Sequence, residues 1–186
     1  LPQQHSSGFF PHMALQPGAT AITHTIAYTL RGLIECARLL RRTSSTGTDA
    51  LAAAQRSCQQ LLDAQATNLQ VGILPTALDE NWQGTTAHSC LTGNAQLAIV
   101  FFMLQQENAR LAQAACALIE KLKGHHPLHS GNPGIRGGLP SSSPIWGPYV
   151  PCAILNWATK FFVDALVLKN KLEGGNSSPS HSTAAR

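Results

Sequence analysis

The chain has 186 residues, 44% hydrophobic and only 12% charged, with a formal net charge of +4. This balance excludes an intrinsically disordered chain, and no run approaches the roughly 20 apolar residues of a membrane-spanning helix, so no membrane insertion is expected. No charged stretch leads into an apolar one near Leu1 in the manner of a secretory signal.

The first predicted helix runs from about Ala21 to Arg42, closed by the polar turn SSTGT. The second, about Asp49 to Thr67, carries Leu51, Ala54, Cys58, Leu61 and Leu62 at helical spacing, and the short connection makes the two a helical hairpin. An irregular stretch follows, VGILPTALDENWQGTTAHSC. The third helix, about Ser89 to Gln106, and the fourth, about Asn108 to Lys123 with Gly124 as its C-cap glycine, form a second hairpin. After the Gly/Pro/Ser-rich GHHPLHSGNPGIRGGLPSSSPIWGPYVP comes a fifth helix, about Cys152 to Glu173. The first, third and fifth helices begin near residues 21, 89 and 153, so a hairpin plus a long connection recurs every 64 to 68 residues. No alternating strand pattern is present. The fold class is therefore all-α, with a hairpin domain over residues 1–173 and a disordered Gly/Ser/Pro tail over 174–186. Neither end reads as a natural boundary, which makes the chain a fragment on this reading.

Arg38, Arg41 and Arg42 end the first helix, where cations complement the helix dipole. No aromatic residues interleave with them, so no nucleic-acid partner is expected. Cys36, Cys58, Cys90, Cys116 and Cys152 are widely spaced within mostly helical apolar patterns and read as reduced, buried small hydrophobes, which places the chain in the cytoplasm. His125, His126 and His129 lie in a Gly/Pro loop without metal-ligand spacing, and GIRGGLPSSSPIWGPY lacks the GK[ST] of a phosphate loop. No metal or cofactor is expected.

The odd-numbered helices carry a polar stripe opposite an apolar one. In HTIAYTLRGLIE, His24, Tyr28, Arg31 and Glu35 fall at offsets 0, 4, 7 and 11, which keeps them on one helical face. The fifth helix repeats the device with Asn156, Lys160 and Asp164, and the third opens with Asn94 and Gln96. These stripes are mixed in type, whereas the fourth helix shows the Glu, Arg, Gln and Lys of an outer surface. The odd helices are therefore assigned to an inner ring whose polar stripes line a cleft, against the alternative of a solvated face.

A cleft of this composition, rimmed by Trp146, Tyr149 and Trp157 and by Arg136 of the closing loop, suits a ligand with hydroxyl groups and apolar C–H faces, that is, an oligo- or polysaccharide. Glu35 and Asp164 would be the carboxylates of an acid/base pair, and His24 or Tyr28 a base or acid near neutral pH. Arg31 and Lys160 would bind anionic groups. The alternative for these charges is structural pairing four residues apart, Arg31 with Glu35 and Lys160 with Asp164.

Together HTIAYTLRGLIE, SCLTGNAQLAIVFF, IRGGLPSSSPIWGPY and LNWATKFFVDAL resemble bacterial α/α-toroid proteins of the six-hairpin and prenyltransferase-like superfamily associated with polysaccharide metabolism, over about Gly8 to Leu168. The resemblance implies an (α/α) barrel whose inner helices deliver active-site residues to one mouth, as in glucuronyl hydrolases and N-acylglucosamine epimerases. Two and a half hairpins leave such a toroid incomplete, so the remainder of the toroid is an expected partner. The zinc patterns of the lanthionine synthetases are absent, and CLTGNAQ lacks a second Cys or His in place. The resulting expectation is a carbohydrate-active protein of hydrolase, lyase or epimerase type, with a non-catalytic scaffold binding a glycan or protein as the rival. An isoprenoid-binding toroid would need DxDD-like or metal clusters that the sequence does not contain.

Overall fold

The computed structural model describes residues 3–40 and 45–175 and is mostly helical. Its helices are α1 (Thr23–Leu40), α2 (Ser45–Ala64), the short α3 (Ala66–Gln70), α4 (Leu91–Met103), α5 (Ala109–Lys123) and α6 (Asn156–Gly175). Six two-residue strands lie in the connections: β1 (Ala21–Ile22), β2 (Ala77–Leu78), β3 (Ser89–Cys90), β4 (Leu139–Pro140), β5 (Ser142–Ser143) and β6 (Ile154–Leu155).

The centre is α4, whose residues Leu91 to Phe102 are all buried. Its sequence, LTGNAQLAIVFF, carries no charge and has polar side chains only at Thr92, Asn94 and Gln96, all buried, so the helix is stable only where neighbours cover it all round. Those neighbours are α1, α5 and α6, while α2 packs on α1. Phe101 and Phe162 are fully buried in this core, each contributing about 1.5–3 kcal/mol of transfer free energy. α5 begins where the Asn108 side chain accepts the amide N–H of Arg110, the usual way of satisfying a free donor at a helix start.

The strands tie the helix starts together. β1 pairs antiparallel with β2, β3 with β5, and β4 with β6. Two Leu-Pro segments make the same bonds in both places. The Thr23 amide donates to the Thr76 carbonyl (2.8 Å) and the Thr76 amide to the His88 carbonyl (2.6 Å). Likewise Leu91 donates to Ser141 (3.0 Å) and Ser141 to Ala153 (2.9 Å). The leucine of each segment is held by the second turn of the next helix: Asn94 Oδ1 accepts the Leu74 amide at 2.8 Å, and Thr159 Oγ1 accepts the Leu139 amide at 2.8 Å. Both side chains also bond the carbonyl four residues back, Cys90 for Asn94 and Leu155 for Thr159.

The N-terminal segment is clasped onto the first connection. Trp82, fully buried at a positive φ of 62°, donates its indole N–H to the Ser7 carbonyl (2.7 Å) and meets Phe9 edge-on at 5.2 Å. The Gln65 amide donates to its carbonyl, and the Asp79 carboxylate accepts the Asn81 and Gln83 amides, turning the chain beneath it.

Several expectations are corrected. The residues just before the three long odd helices, Ala21–Ile22, Ser89–Cys90 and Ile154–Leu155, are strands, and Cys152 lies before the helix at a φ of 55°. The described part of the SSTGT turn is helical from Ser45, because Gly47 continues the buried stripe of Ala50, Ala54 and Leu61 and packing overrides glycine's poor propensity. Gly124 does end α5, but at a φ of −65°, so its left-handed freedom is unused. Cys58 and Cys90 are buried, whereas Cys36 and Cys152 are exposed; all five are free thiols. α6 includes Gly174 and Gly175, where the expected tail begins; Arg41, Arg42 and residues 176–186 lie outside the described residues. No described helix is long and apolar enough to cross a membrane.

Candidate functional site

The starts of α1 and α4 meet at one glycine. A Cβ on Gly93 would stand 2.2 Å from Thr23 Oγ1 and 2.6 Å from the His24 amide nitrogen, so only glycine lets α1 and α4 approach this closely. The approach sets the His24 ring against Gln96, one turn further along α4, with Nδ1 2.5 Å from Oε1. An amide oxygen facing the ring makes Nδ1 the protonated nitrogen and leaves the Nε2 lone pair free. Burial pushes the His24 pKa below its ordinary value, and the Gln96 bond opposes that shift without cancelling it. His24 is thus a neutral imidazole at pH 7.

Aromatic rings surround it. The Tyr28 ring lies 4.8 Å from His24, the Tyr149 ring 5.5 Å and the Phe161 ring 6.4 Å, and Tyr28 meets Phe161 at 5.9 Å. Tyr149 arrives on the connection after the cis Ser143–Pro144 bond, and its hydroxyl accepts the Trp157 indole N–H at 3.3 Å. Burial raises the Tyr149 pKa, keeping the phenol protonated. Tyr28 is 50% exposed and Trp157 44%, so the cluster is open to solvent on one side. Beneath it, burial pushes the Cys90 thiol up to about 12, which removes it as a nucleophile at neutral pH.

The same faces of α1, α4 and α6 continue into an open groove of about 450 Å³. Arg31, Glu35 and Asp164 line it above a floor of Ile99, Phe102 and Met103. The predicted carboxylates therefore share one groove, but each is already paired. Glu35 binds Arg38 at 3.3 Å, not Arg31, and Asp164 binds Lys160 at 2.5 Å. Lys160 also sits 4.7 Å over the Phe161 ring, so the structural pairing considered for the fifth helix is the one formed.

The remaining predicted residues fall elsewhere. Asn94 is fully buried and its amide is spent on Leu74 and Cys90, which makes it a bracket behind the site and corrects its assignment to ligand contact. Arg136 and the 66%-exposed Trp146 stand on the connection and join neither the rings around His24 nor the groove lining. Asn156, exposed at the start of α6, accepts the Trp157 amide with its own side chain. Phe161 also belongs to the site, and its spacing of four from Trp157 is the signal for it. Gly93 stands inside an otherwise apolar helix, which is the sequence mark of a close approach.

No family model matches this chain, and no curated protein or solved structure matches it. Among the described residues no three of His, Cys, Asp and Glu are grouped so as to hold a metal ion. The chemistry on offer is that of a neutral, oriented imidazole beside two phenols, an indole and a continuing groove.

Proposed function

We propose that the chain is one wall of an α/α toroid that acts on a polysaccharide or uronic-acid-containing glycan, with α1, α4 and α6 as inner helices and His24 as the reacting group. The observation that carries this is the His24–Gln96 bond within the Tyr28, Tyr149, Trp157 and Phe161 rings. Rings take the C–H faces of a sugar, and the free Nε2 takes a proton.

Within the hydrolase, lyase and epimerase classes, this arrangement favours the last two. A two-carboxylate hydrolase needs one free carboxylic acid and one free carboxylate, and the pairs of Glu35 with Arg38 and Asp164 with Lys160 oppose that. In the lyase form, His24 Nε2 removes the proton from the carbon beside the uronate carboxyl. That electron pair forms the C=C bond as the glycosidic C–O bond breaks, and the Tyr28 hydroxyl protonates the departing oxygen. In the epimerase form a proton returns to the opposite face of the same carbon. Arg31, one turn beyond Tyr28, is the cation for the carboxylate.

Incubation of the full chain with uronate oligosaccharides in D2O separates the forms: unsaturated product reports elimination, and deuterium at the carbon beside the carboxyl reports epimerisation. His24→Ala should lower either rate by about 100-fold or more. Turnover unchanged in that variant would sink the proposal. The second reading, a glycan-binding scaffold, is favoured by the same ion pairs; it requires calorimetric binding that falls in Trp157→Ala, with no turnover by the unmodified chain.

A further inference from the structure

We infer that the edge of β6 that no described segment pairs, together with the Asn156, Val163 and Val167 face of α6, is a docking site for a further helical unit, entered by an extended segment of Leu-Pro-Ser/Thr type. The toroid reading bears only on the shape of the final assembly; the site itself follows from the correspondence of three helices, position by position.

The bonds described above place Thr23 of α1, Leu91 of α4 and Asn156 of α6 in equivalent positions, each the first residue after a two-residue strand. At the first two, the amide donates to the carbonyl of a Leu-Pro-Thr or Leu-Pro-Ser segment. The next two residues of that segment pair with the strand, Ala77 with Ile22 and Leu78 with Ala21, then Ser142 with Cys90 and Ser143 with Ser89. β6 is paired on its other side, with β4. Among the described residues no segment fills the position beside β6 that β2 fills beside β1 and β5 fills beside β3.

The helix face repeats the comparison. Thr23, Leu30 and Ile34 of α1 are buried, as are Leu91, Ala98 and Phe102 of α4. Their counterparts on α6 are Asn156, which is exposed, Val163, 48% exposed, and Val167, 46% exposed. Two β-branched apolar residues at helical spacing on an open face, beside a strand edge that no described segment pairs, form the kind of surface that a strand-plus-helix unit covers. The occupant is set by what fills the two equivalent edges, a Leu-Pro-Ser/Thr segment leading into a helix.

The test is a titration of the ¹⁵N-labelled full chain with a peptide of residues 72–80, GILPTALDE, at millimolar concentration, beside a scrambled peptide of the same composition. The expected result is amide shifts confined to Ile154, Leu155, Asn156 and Trp157 with the first peptide only. No shifts there, or equal shifts with the scrambled peptide, overturn the assignment. Shifts of the same amides on raising protein concentration without peptide also overturn it, since the occupant would then be a second copy. Because no glycan is present, failure here leaves the His24 chemistry untouched, and loss of turnover in His24→Ala leaves the edge untouched.

Discussion

His24 Nδ1 and Gln96 Oε1 lie 2.5 Å apart although 72 residues separate them in sequence, and this contact fixes which ring nitrogen faces the open side of the site. Its titration should be visible. His24 should show an NMR midpoint below the ordinary 6.5, and Gln96→Leu should lower it further, because the bond to Gln96 is what holds the value up against burial. The sign for stability follows. Well above pH 6.5 the ring is neutral folded and unfolded, and nothing is lost. As pH falls below 6.5 the unfolded chain takes up the proton first, so stability declines until the native ring is protonated too. The part due to His24 should vanish from the urea-midpoint profile of His24→Asn between pH 7.5 and 5.

Gly93→Ala tests the close approach of α1 and α4. Helix propensity alone favours alanine by about 1 kcal/mol. The Cβ would, however, meet Thr23 Oγ1 and the His24 backbone at 2.2 and 2.6 Å. Backbone cannot step aside cheaply, so a net loss of about 2 kcal/mol in equilibrium unfolding is expected. A gain in stability would show that the helices have room to spare.

The two brackets should differ in cost. Asn94→Ala leaves the buried Leu74 amide and carbonyl without partners and is expected to destabilise by about 3 kcal/mol. Thr159→Val keeps the shape and frees one amide, that of Leu139, for about 1 kcal/mol. Chemical denaturation of both variants ranks them, and equal costs would contradict the hydrogen-bond assignment.

The Lys160–Asp164 pair is exposed and lies one helical turn apart. A double-mutant cycle with Lys160→Met and Asp164→Asn should give a coupling of about 0.5 kcal/mol that fades in 1 M salt. A coupling of several kcal/mol would mean that the groove is far drier than its open shape implies.

Periodicity made the long helices legible: Ile26, Leu30 and Ile34, or Leu118 and Leu122, announce buried faces that the fold then buries. It put His24 and Tyr28 on one face of α1 as well, since they lie four residues apart. Strands of two residues have no period to detect, and only their partners define them. The partner of Glu35 was equally hidden, since Arg31 and Arg38 are both within reach on a helix and rotamer packing chooses between them. A local word did carry the tie between helix starts. LPTAL at 74–78 and LPSSS at 139–143 occupy the same position in their connections, and the serines and threonine that look like loop filler are the residues whose backbone joins neighbouring helices.

The clasp around Trp82 gives the protein a built-in optical division. Of its three indoles, Trp82 is sealed against Phe9 and Ser7, while Trp146 and Trp157 face water. Emission that survives acrylamide quenching therefore comes chiefly from Trp82, and its red shift during unfolding marks the moment at which the N-terminal segment lets go, separately from any event among the helix starts.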